Sequence, residues 1–67
     1  MKFIKTLAGE YVRVDAVNKF VIEYDGDEQK FYVMAITSED TEDLSVHEEK
    51  YQAQNALDDL LAEINGG

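Results

Sequence analysis

Carboxylates are the residues best able to do chemistry in this chain, and they come in runs: Glu39-Asp40-Thr41-Glu42-Asp43, Asp25-Gly26-Asp27-Glu28, Glu48-Glu49 and Asp58-Asp59. Clustered oxygens suggest a hard cation, because calcium takes roughly six to eight oxygen ligands from a flexible loop. The spacing argues otherwise. A twelve-residue frame from Ser38 to Glu49 begins with serine, carries Asp43 where the sharp turn needs glycine and places Leu44 seventh. Asp25-Gly26-Asp27-Glu28 is too short for such a loop and has its glycine second. The sequence therefore implies no metal and no cofactor. It reads Glu39, Asp40, Glu42 and Asp43 as a solvated loop offering an acidic contact surface.

Nucleophilic chemistry has one place to start, the single histidine His47, with Ser45 before it and Glu48 and Glu49 after it. A Ser-His-carboxylate relay needs groups that converge on one reacting atom, which neighbours on a short segment seldom do. Asp58 and Asp59 resemble an acid/base couple, but adjacent residues on a helix point roughly 100° apart. No catalytic residue is assigned, and the chain reads as a non-enzyme.

The charge is unevenly distributed. Residues 1–24 hold four cations against three carboxylates, a net +1, whereas Asp25 to Gly67 hold two cations against twelve, a net −10. Such a surface repels nucleic acid and anionic lipid and suits a basic protein partner. The cations Lys2, Lys5, Arg13 and Lys19, with Phe3 and Tyr11, make a weak nucleic-acid platform beside that remainder. A dense acidic surface can also imitate a phosphate array, which gives a second reading as an inhibitor or DNA mimic occupying a basic groove.

Elements must position these groups. At 67 residues the chain is read as a single small domain, 1–67, in a size range where one core barely offsets chain entropy. Its 45% hydrophobic content argues against disorder, and the lack of cysteine leaves apolar packing or self-association to supply stability. The apolar run Phe31 to Ile36 is too short to span a bilayer, and the Met1-Lys2-Phe3 start lacks a signal-like apolar stretch. The expectation is a cytoplasmic protein.

Lys2 to Leu7 and Tyr11 to Asp15 alternate around Ala8-Gly9-Glu10 and predict a β-hairpin. Ala16-Val17-Asn18 reads as a connection, Lys19 to Tyr24 as a third strand ending at Asp25-Gly26, and Lys30 to Thr37 as the central strand. Ser38 to Asp43 reads as loop, and Leu44-Ser45-Val46 as a short additional strand. From Lys50 to Asn65, Ala53, Ala56, Leu57, Leu60, Leu61 and Ile64 recur at helical spacing, with Gly66 placed just past the end. The expected class is α+β: a four-stranded antiparallel sheet, five with the short strand, or a small barrel, followed by one C-terminal helix packed on one face (β-β-β-β-α).

Phe31 to Ile36 is apolar on both alternating faces, and one helix can cover only one. Either Phe31, Val33 and Ala35 meet the helix and Tyr32, Met34 and Ile36 face away, or the reverse. The uncovered set is either closed inside a barrel or covered by another molecule, and the expectation is an interaction module that forms a homodimer through Tyr32, Met34 and Ile36.

Two resemblances bear on function. Small acidic ubiquitin-like carriers also end in Gly-Gly, as do Gly66 and Gly67, but their glycines follow a strand whereas these follow a helix. FIKTLAGEYVRVDAVNKFVIEYDG, then an apolar strand, an acidic loop and the QAQNALDDLLAEI helix, resembles short uncharacterised proteins of Gram-positive bacteria and their phages. That resemblance implies a bacterial or phage-related domain without known catalysis and assigns no functional residue.

Overall fold

The computed structural model describes residues 2–66, so Gly67, half of the Gly-Gly terminus, lies outside the described residues. The order is β1 (Phe3–Lys5), β2 (Tyr11–Arg13), a 3-10 turn (Val14–Ala16), β3 (Val17–Asp25), β4 (Lys30–Thr37), β5 (Thr41–His47) and α1 (Lys50–Gly66). The class is α+β, with antiparallel strands and one C-terminal helix. A single four-stranded sheet is not what forms. The strands divide into a two-stranded ladder, β1-β2, and a three-stranded sheet in the order β3-β4-β5. The cause is the 3-10 turn, which redirects the chain after Arg13 so that β2 does not continue into pairing with β3.

The first hairpin closes through Thr6, whose carbonyl accepts the Gly9 N–H (3.0 Å) and whose N–H donates to Glu10 (2.8 Å). Gly9 supplies the left-handed residue this turn needs (φ 87°). Alternation then places Ile4 and Thr6 inside, each 5% exposed, and leaves Phe3 and Leu7 outside. Thr6 tolerates burial because its Oγ1 accepts the Glu10 N–H at 3.2 Å. A further bond, Leu7 N–H to the Asp43 carbonyl (2.9 Å), ties the hairpin to the outer edge of β5.

The three-stranded sheet begins one connection earlier than the composition suggests. Val17 and Asn18 belong to β3, with a bulge between Val17 and Lys19. At the β3–β4 turn the Asp25 carboxylate accepts the N–H groups of Asp27 (2.9 Å) and Glu28 (3.3 Å), and Gln29 takes a left-handed conformation (φ 56°). Lys30 to Thr37 is a strand over the expected range.

The acidic segment departs from expectation. Thr41 to His47 form a seven-residue strand, so Thr41, Glu42 and Asp43 are ladder residues rather than loop. The turn before them is tight because Thr37 holds it: its N–H and hydroxyl donate to the Asp40 carbonyl, and its Oγ1 accepts from Glu39 and Asp40. A bulge between Val33 and Met34 leaves Leu44 unpaired, which turns it toward the core while Val46 points to the other face.

The helix starts where the Gln52 side chain accepts the Glu49 N–H (3.1 Å), and it runs through Gly66 instead of stopping before it. Its buried residues, Ala53 and Leu57, pack with Val33, and Phe20, Ile22, Phe31, Leu44, Ala56 and Leu61 surround that cluster. The helix lies over β4 and β5 and touches β3 less than either. It is neither long nor apolar enough to cross a membrane.

Two substitutions check this account by denaturant unfolding. Leu57→Ala, at the centre of the cluster, is expected to lower stability by about 2–4 kcal/mol, while Leu7→Ala, on an exposed side chain, lowers it by less than about 0.5 kcal/mol. Gln29→Gly relieves the left-handed strain and is expected to raise stability by about 0.5–1 kcal/mol.

Candidate functional site

Cross-strand register assigns the faces. Phe31, Val33 and Ala35 share rows with Tyr24, Ile22 and Phe20 and lie on the helix side. Tyr32, Met34 and Ile36 therefore point away from the helix, in rows with Glu23, Val21 and Lys19 on β3 and with Val46, Asp43 and Thr41 on β5. Val21, Tyr32, Met34 and Ile36 are half-buried there, while Glu23, Asp43 and Val46 are exposed. No helix covers this face among the described residues.

At one end of the face, Glu23, Asp25, Tyr32, Met34 and Asp43 line an open depression of about 370 Å³. The Tyr32 hydroxyl donates to Glu28 Oε1, which fixes the phenol against the β3–β4 turn. That bond, with desolvation and the nearby charges of Glu28, Asp25 and Asp43 adding to it, pushes the Tyr32 pKa up to about 12. The patch is thus an apolar stripe, Val21-Met34-Ile36, whose Tyr32 end is rimmed by carboxylates.

Of the four residues read as one acidic surface, Glu39, Asp40 and Glu42 line one shallow depression beside Tyr11 and Thr37, and Asp43 lies apart from them. Glu39 and Asp40 sit in the β4–β5 turn, Glu42 shares a row with Ala35 on the helix side, and Asp43 shares a row with Met34 on the open face. Only Asp43 joins the depression beside Tyr32. Alternation along β5 separates neighbours that a loop would have left adjacent.

One contact depends on β5 running through His47. His47 Nε2 lies 2.9 Å from Ser45 Oγ, because residues two apart on a strand share a face. No carboxylate is bonded to that imidazole among the described residues, so the two half-buried polar groups satisfy each other and lack the third member of a relay. Among the described residues no three His, Asp or Glu side chains are grouped as a metal site would require. The outer face of the first hairpin carries exposed Phe3, Lys5, Tyr11 and Arg13, but Arg13 is engaged with Asp15 at 2.9 Å.

No family model, curated protein or solved structure matches the chain.

The raised Tyr32 pKa has a definite pH signature. The protonated phenol is favoured in the folded state, so its contribution is fully present below about pH 10 and is lost as pH rises through about 12. In an ultraviolet titration of phenolate absorbance, the tyrosine removed by Tyr32→Phe is expected to be the one ionising near 12, and Glu28→Gln is expected to move that ionisation to lower pH.

Proposed function

We propose that this protein is a non-enzymatic interaction module whose contact surface is the helix-free face of the β3-β4-β5 sheet. The observation that carries this reading is the row of half-buried apolar side chains, Val21, Tyr32, Met34 and Ile36, left without a covering helix and edged by Glu23, Glu28 and Asp43. Desolvating such a stripe is favourable at roughly 25 cal/mol per Å² of apolar area, and the surrounding carboxylates select against acidic partners.

The charge pattern favours a protein segment that alternates apolar and basic residues. A second copy seated on the same face would bring two carboxylate rims together, with only Lys19 and Lys30 on this face to offset them. The remaining acids divide among the β4–β5 turn, both sheet faces and the helix, which supports a local docking surface more than an extended phosphate imitation.

The test is an amide chemical-shift titration with a synthetic peptide of alternating valine and lysine. Shifts concentrated at Val21, Tyr32, Met34 and Ile36, weakened by added salt and lost in Met34→Lys, are the expected result. Shifts spread equally over Glu39, Asp40, Asp58 and Asp59 would reduce the effect to bulk charge and sink the proposal. Broadening of Tyr32, Met34 and Ile36 on β4 upon concentration without peptide would assign the face to a second copy instead.

A further inference from the structure

The three-stranded sheet has two edges, and they are treated differently. β5 is tied on its outer side to the first hairpin through the Leu7–Asp43 bond. β3 is not. Its nine residues pair only with β4, and no other backbone hydrogen bond among the described residues reaches Asn18 to Asp25. An unpaired edge of this length presents a row of free donors and acceptors, which folded proteins usually blunt with proline, bulges or charge. The chain has no proline, and the bulge lies at the beginning of the strand, before Lys19.

The sequence on that edge is self-complementary. Reading Lys19-Phe20-Val21-Ile22-Glu23 against a second copy in the antiparallel direction, centred on Val21, sets Lys19 opposite Glu23 twice and Phe20 opposite Ile22 twice. Residues directly opposite in an antiparallel pair point to the same face. Lys19 and Glu23 both lie on the open face, and Phe20 and Ile22 both lie on the helix side, so this register matches charge with charge and apolar with apolar. A shift by one residue would put Phe20 opposite Glu23 and send the two helices to opposite faces. A shift by two would leave Lys19 opposite Val21 or Asp25, with Glu23 left against a valine in either case.

The packing of the helix leaves room for this arrangement. Because α1 lies over β4 and β5, Phe20 and Ile22 remain only half-buried at the β3 margin. A neighbouring pair of the same residues would complete their cover. We infer that two copies of this chain join edge to edge along β3, antiparallel and centred on Val21, to form one continuous six-stranded sheet. This goes beyond the contact surface proposed above and does not require it, since an edge and a face can be occupied separately.

Charge exchange tests the pairing. Sedimentation equilibrium across a dilution series is expected to show a dimer whose dissociation constant rises roughly tenfold or more in Lys19→Glu, where two attractive pairs become repulsive. Glu23→Lys is expected to weaken it similarly, and the double variant Lys19→Glu with Glu23→Lys to restore it. Restoration cannot follow from misfolding of a single variant, and both positions are exposed. Amide exchange is expected to slow at Lys19 to Glu23 as wild-type protein is concentrated. A monomer at every concentration would overturn the inference. A dimer indifferent to all three variants would overturn it too; loss of that dimer in Met34→Lys would place the contact on the sheet face.

Discussion

One helix crossing a three-stranded sheet is the constraint from which the other features follow. Val33, Ala53 and Leu57 are the contact, and the small Ala53, fully buried, lets the helix backbone approach the sheet closely. A chain of 67 residues is expected to have a net stability of only about 3–10 kcal/mol, so this one cluster carries a large share of it. A sheet has two faces and the helix takes one. What remains is a row of half-buried apolar groups and an open β3 edge, while a second set of buried residues, Ile4, Thr6 and Ala35, lies outside the helix cluster.

The turns are held by a common device. The side chains of Thr6, Asp25 and Thr37 each sit where a strand ends and accept backbone N–H groups from the residues that follow, and Gln52 does the same for the N–H of Glu49 at the helix start. In a chain without proline or disulfides, short polar side chains at strand ends take over the work of fixing direction. Because Thr37 ties its turn so tightly, the following residues enter the ladder at once. This is why an acidic run becomes strand.

Charge is organised by these elements rather than by sequence position. Alternation along β5 sends Glu42 and Asp43 to opposite sides, and the bulge at Leu44 does the same to the Leu44 and Val46 side chains, which simple alternation would have kept together. The face that gains Asp43 also gains Glu23 and the Tyr32–Glu28 bond, so its apolar stripe acquires an acidic end. Lys19 and Glu23 stand two rows apart on the same strand and the same face, a spacing that means little within one molecule and acquires meaning only against a second.

Local pattern alone determined β4 over Lys30 to Thr37, the start of the helix at Lys50, the apolar stripe containing Ala53 and Leu57, and the first hairpin, because each depends on periodicity or turn chemistry within a few residues. It also established that β4 has two apolar faces. Tertiary structure decided which face meets the helix, the division of the strands into two ladders, the burial of Thr6 in place of Leu7, and the entry of Glu42 and Asp43 into β5. The physical reason is that alternation sorts side chains into two sets without saying which set is inside. That choice is made by contacts between segments far apart in the chain.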